Sequence, residues 1–166
     1  MISPFSQTVQ VKEALINLLM ASMSASGALP TVESIGPTYL NEVGVNNYVG
    51  VEVFHIVEKP WSRRVEVTIS FGISISVKSP TDKLQDAYPI RDYIIDAGDG
   101  IHGIQPILRA QMSTLYPGAY LDGLIASSNI KETILISSTA APNANIPTAY
   151  VAEAAIMWDC VFYLSF

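Results

Sequence analysis

At 166 residues the chain is long enough for one well-buried core and short for two, so residues 1–166 are expected to form a single domain. Apolar residues make up 49% and charged residues only 14%, against roughly 25% in a typical soluble domain; the net charge of −6 argues against a general nucleic-acid binder, whose phosphate contacts need a basic footprint. A surface this poor in charge is expected to be hidden in part against neighbours, in a homo-oligomer or a larger complex.

Ser3-Pro4 is a helix start, serine as N-cap and proline in the first turn, and the helix should run over residues 4–25 and stop before Gly27 and Pro30. It is apolar nearly all round, which predicts burial on more than one side. Its run 14–23 is preceded by Lys12 beside Glu13 instead of a positive n-region, so a core helix is expected and not a signal peptide. The run is also shorter than the about 20 residues a bilayer requires, so no membrane is expected as a partner. Residues 31–47 read as a loop with a short strand. Residues 48–57 then alternate, with Val49, Val51, Val53, His55 and Val57 on one side.

After a turn at 58–63 comes the strongest pattern in the chain. Val65, Val67, Ile69, Phe71, Ile73, Ile75 and Val77 take every second position, with Glu66, Thr68, Ser70, Gly72, Ser74, Ser76 and Lys78 between them. Such a period means a strand with one core face and one polar face, as in antiparallel sheets. Together the two segments make a long hairpin. Residues 80–112 read as helical, interrupted at Gly98-Asp99-Gly100 and by Pro106, and 115–129 as a loop. Residues 132–138 read as a strand, 139–148 as a loop and 150–166 as a last strand with apolar even positions that need a sheet neighbour. The order α-β-β-α-β-β predicts an α+β fold: an antiparallel or mixed sheet with helices on one face.

Gly98-Asp99-Gly100-Ile101-His102-Gly103 matches the dinucleotide fingerprint in letters, with Asp122 further on, but its context lacks a parallel βαβ unit. A glycine-rich break between helical segments is the plainer reading. Asp92, Asp96 and Asp99 fall at helix spacing, with Asp86 before them; they suit either a hard cation or, more commonly, a solvated helix face. His55 among valines reads as a core or interface residue. Cys160, the lone cysteine, can form no internal disulfide and should be an inert buried thiol. No nucleophile, base and orienting group come together, so no catalytic residue, metal ligand or cofactor is assigned and no enzyme is expected.

Lys59-Pro60-Trp61-Ser62-Arg63-Arg64 puts an indole and three of the nine basic residues at the hairpin tip. Tryptophan and arginine dominate interface hot spots, so Lys59, Trp61, Arg63 and Arg64 are the candidate subunit contact. The alternatives are a Trp61 folded back over the sheet with solvated cations, or a contact to DNA.

The N-terminal helix, the hairpin with its long alternating second strand, the central helical region and the C-terminal strand pair together resemble the tail terminator family of tailed-bacteriophage neck proteins. The likeness is one of pattern, since that family has no short signature. It implies a homohexameric ring capping the tail tube and joining it to the head connector. Other neck and tail proteins would be its partners, and DNA would pass through only as cargo. It also implies synthesis in the host cytoplasm and a final place in the virion. A connector or stopper, another structural subunit such as a baseplate part or capsid cement, and a small nucleotide-binding module are the alternatives.

Overall fold

The computed structural model describes residues 3–39, 44–111, 121–136 and 150–165. Helix α1 spans Pro4–Ala21; strands β1, β2 and β3 span Ser34–Gly36, Asn47–Pro60 and Arg64–Lys78. Helices α2 (Tyr88–Ile95) and α3 (Ile104–Ala110) follow, then β4 (Ser127–Ile136) and β5 (Val151–Ser165). The fold is α+β, with one five-stranded sheet in the order β1-β2-β3-β5-β4. Only β1 pairs in parallel, with β2; the other pairings are antiparallel. Among the described residues no helix is long and apolar enough to cross a membrane.

The Ser3 hydroxyl caps α1 by accepting the Ser6 N–H at 3.1 Å, and Pro4 occupies the first turn, where its missing N–H costs nothing. The helix ends at Ala21, earlier than expected, because serine hydroxyls compete for backbone there: Ser22 Oγ donates to the Leu18 carbonyl at 3.1 Å. Thr8, Val11, Leu15 and Leu19 share the buried face. Burial on more than one side does not occur, since Phe5, Val9 and Met20 are 69%, 41% and 51% exposed.

Strand β3 has the expected bounds, and its odd residues from Val65 to Val77 are all buried. They meet the even residues of β5, Val67 opposite Phe162 and Phe71 opposite Trp158, under the helical layer. Burying a side chain of this size contributes about 1.5–3 kcal/mol, so this double row forms most of the core. The neighbour that β5 requires is supplied twice, by β3 along its full length and by β4 on its other side.

Strand β2 breaks its own alternation. A bulge at Phe54, between Val53 and His55, shifts the register by one residue. Val49 and Val51 are in the core, but beyond the bulge Ile56 lies opposite Ile69 while His55, Val57 and Lys59 lie opposite Ser70, Thr68 and Glu66. His55 is therefore exposed on the polar face, and the expected valine row containing it does not form. That polar face is covered at one end. Ser74 Oγ donates to the Tyr39 carbonyl at 2.6 Å, the Tyr39 N–H donates to Glu52, and the Tyr39 and Phe54 rings meet edge to face.

Tyr93-Ile94-Ile95 is helical, and Pro106 stands third in α3, inside the first turn, so it does not interrupt the helix. The strand expected from residue 132 starts earlier, at Ser127. Its end at Ser138, residues 115–120 of the expected loop at 115–129, the loop at 139–148, and Phe166 lie outside the described residues.

Candidate functional site: the hairpin tip

The connection between β2 and β3 is three residues, Trp61 to Arg63, closed by the Trp61 N–H donating to the Arg64 carbonyl at 2.7 Å. A turn this tight at the end of two long strands leaves its side chains no core to enter. Trp61 is 46% exposed, and Lys59, Arg63 and Arg64 are exposed.

The bulge at Phe54 decides which side Lys59 takes. With the register shifted, Lys59 faces the same side of the sheet as Glu66 and Tyr163. Its Nζ stands 5.1 Å from the centre of the Trp61 ring. Arg64 contacts two aromatic faces, its Cζ lying 5.6 Å from Trp61 and 4.5 Å from Tyr163. Cation and ring thus alternate from Lys59 through Trp61 and Arg64 to Tyr163. Each such contact is worth about 0.5–1 kcal/mol at an exposed site. Of the residues singled out in the sequence, Lys59, Trp61 and Arg64 come together, while Arg63 joins no such contact. Tyr163 was not foreseen, because only the pairing of β5 with β3 brings it beside the turn.

The other candidates have structural explanations. Gly98, Gly100 and Gly103 all have positive φ, of 81°, 74° and 117°, which accounts for glycine at each. The segment follows a helix where the dinucleotide fingerprint follows a strand. Asp92, Asp96 and Asp99 do not share a helix face, because α2 ends at Ile95 and Asp96 is extended. Asp96 accepts from Arg109 and the Gly98 N–H at 2.8 Å each, and these bonds, Arg109 first, hold its carboxyl below the usual range. Asp99 accepts the His102 and Ile101 N–H groups at 2.8 Å and the His102 ring nitrogen Nδ1. The His102 N–H and then its imidazole hold the Asp99 carboxyl well below the usual range. His102 also stacks on Tyr93. These groups staple a loop. Among the described residues no group of three or more His, Cys, Asp or Glu is placed to hold a metal ion.

Cys160 is wholly buried, and burial first, then the Asp159 charge, pushes its thiol far up. A small cavity of about 80 Å³ opens on the covered end of the polar face, lined by Tyr39, Ser74, Ser76, Ile136 and Glu153 among others. Burial, then the Glu153 charge, raises the Tyr39 phenol. The chain matches no protein-family model, and no curated protein is similar to it at a significant level.

Proposed function

We propose that the protein is a structural subunit of a tailed-phage neck, a tail terminator whose copies close into a hexameric ring between tail tube and head connector. The observation that carries the reading is the hairpin tip, where a half-exposed indole and three exposed cations stand outside the core, two of the cations against aromatic rings and none paired with an acidic group among the described residues. Indole and guanidinium are the groups that anchor interfaces, and the low charge of the whole chain fits a surface hidden in an assembly. The ring, the neck position and the virion location rest on the likeness in element order. A connector, stopper, baseplate or cement subunit would use the same tip.

Light scattering of the purified protein and electron microscopy test the proposal. A six-fold ring with an axial hole is expected; a stable monomer at micromolar concentration would sink every ring reading. Trp61→Ala is expected to weaken assembly while the circular dichroism of the subunit stays unchanged. An oligomer untouched by that substitution counts against the tip as the contact.

A further inference from the structure

We infer that the hairpin tip is a carboxylate receptor and that the carboxylate it takes belongs to a second copy of this chain, an inference that rests on the assembly reading above. Arg64 is the centre of the argument. Its guanidinium carbon lies 5.6 and 4.5 Å from the ring centres of Trp61 and Tyr163, and among the described residues no hydrogen bond or ion pair takes up its N–H groups. Those groups form a planar fork, and its matching acceptor is the two oxygens of a carboxylate. Among the described residues no acidic group is in ion-pair reach of Lys59, Arg63 or Arg64. This holds although Glu66 pairs with Lys59 across the strands and Glu58 precedes it in sequence. The rings also restrict the long side chains beforehand, so less conformational freedom is lost when a partner docks.

Charge indicates the partner. Apart from the three tip cations, the chain holds 15 acidic residues and only six basic ones. Another copy is thus a surface rich in carboxylates, whereas two tips brought together would set three cations against three. The tip therefore meets a different, acidic surface of the next copy and not another tip; repeated head to tail, such a contact closes the ring of the assembly reading. A nucleic-acid phosphate has the right charge for the fork, but three cations are a small footprint for a contact that depends on neutralising many phosphates.

The test compares wild type, Arg64→Lys and Arg64→Gln by sedimentation equilibrium at low and high salt (about 50 and 500 mM), across which the screening length falls severalfold. Circular dichroism and melting confirm that each variant is folded. Wild type is expected to assemble less tightly at high salt. Arg64→Gln should weaken assembly about tenfold or more, the cost of one charge-assisted hydrogen bond. Arg64→Lys, which keeps the charge and loses the fork, should also weaken it. A wild-type oligomer matched by Arg64→Gln at both salts would overturn the receptor and leave the assembly reading standing. A monomeric wild type defeats both. Binding of a labelled DNA duplex that Arg64→Gln abolishes, with assembly unchanged, would replace the carboxylate by phosphate and overturn the proposal.

Discussion

Two glycines on the polar face differ in what presses on them. A Cβ on Gly72 would coincide with the ring of Phe54, a side chain 54% exposed that can swing outward. A Cβ on Gly50 would strike the Thr38 carbonyl, which is backbone and can yield only if the covering segment moves. Gly50→Ala should therefore destabilise by about 1–3 kcal/mol, as overpacking does. Gly72→Ala should cost clearly less and displace Phe54 from Tyr39. Denaturant melts of both variants check the order; equal losses would mean that Phe54 is as fixed as the backbone. The interior offers a second contrast. The Trp158 Nε1 is buried with no partner among the described residues, so the indole there serves packing against Phe71 at 5.9 Å and leaves a donor unpaired.

At the scale of elements, legibility followed phase. Strand β3 keeps one alternation over all 15 residues, and the sequence shows its bounds and both its faces. Strand β2 changes phase at Phe54, and a bulge has no marker in composition, so His55 was placed on the wrong side. The start of β4 was hidden for another reason: Ser127, Ser128 and Asn129 lie at the sheet edge and carry no apolar period. The tip was readable as Lys59, Trp61 and Arg64 because these are neighbours in sequence. Its fourth member, Tyr163, needed the tertiary pairing of β3 with β5. The loop from Asp96 to Gly103 gives a prediction of its own. Both Asp96 and Asp99 have carboxyls depressed by hydrogen bonds to their charged forms. Their contribution to holding the loop is therefore complete above the ordinary carboxylate value of about 4 and is lost as pH falls through the lower folded values. The side-chain carboxyl carbon of Asp99 should titrate only in strong acid, below the ordinary value of about 4, and the matching acid transition of the Ile101 amide should vanish in Asp99→Asn. A transition centred at the ordinary value would show that the staple does not form.

For the molecule as a whole, the open question in such a sheet is its edges. Strand β4 lies at one edge, with Ile134 and Leu135 exposed at 43% and 57%, and no strand pairs with its outer side among the described residues. Adjacent exposed apolar residues on an unpaired edge invite strand addition, while the bulge at Lys131 and the charges of Lys131 and Glu132 blunt the other half. Leu135→Lys should leave the melting temperature nearly unchanged and reduce light scattering on heating. Undiminished scattering would locate the aggregating surface elsewhere.

The central position of β5 has a consequence for how the protein is made. It is the last of the five strands to leave the ribosome, yet β3 depends on it for one whole side. The hairpin of β2 and β3 can close early, but its apolar row and its outer backbone edge then stay unmatched until β5 has been translated. Contacts so far apart in sequence fold slowly. The nascent subunit is thus most prone to wrong pairing in the interval before β5 emerges, when a chaperone would help it most.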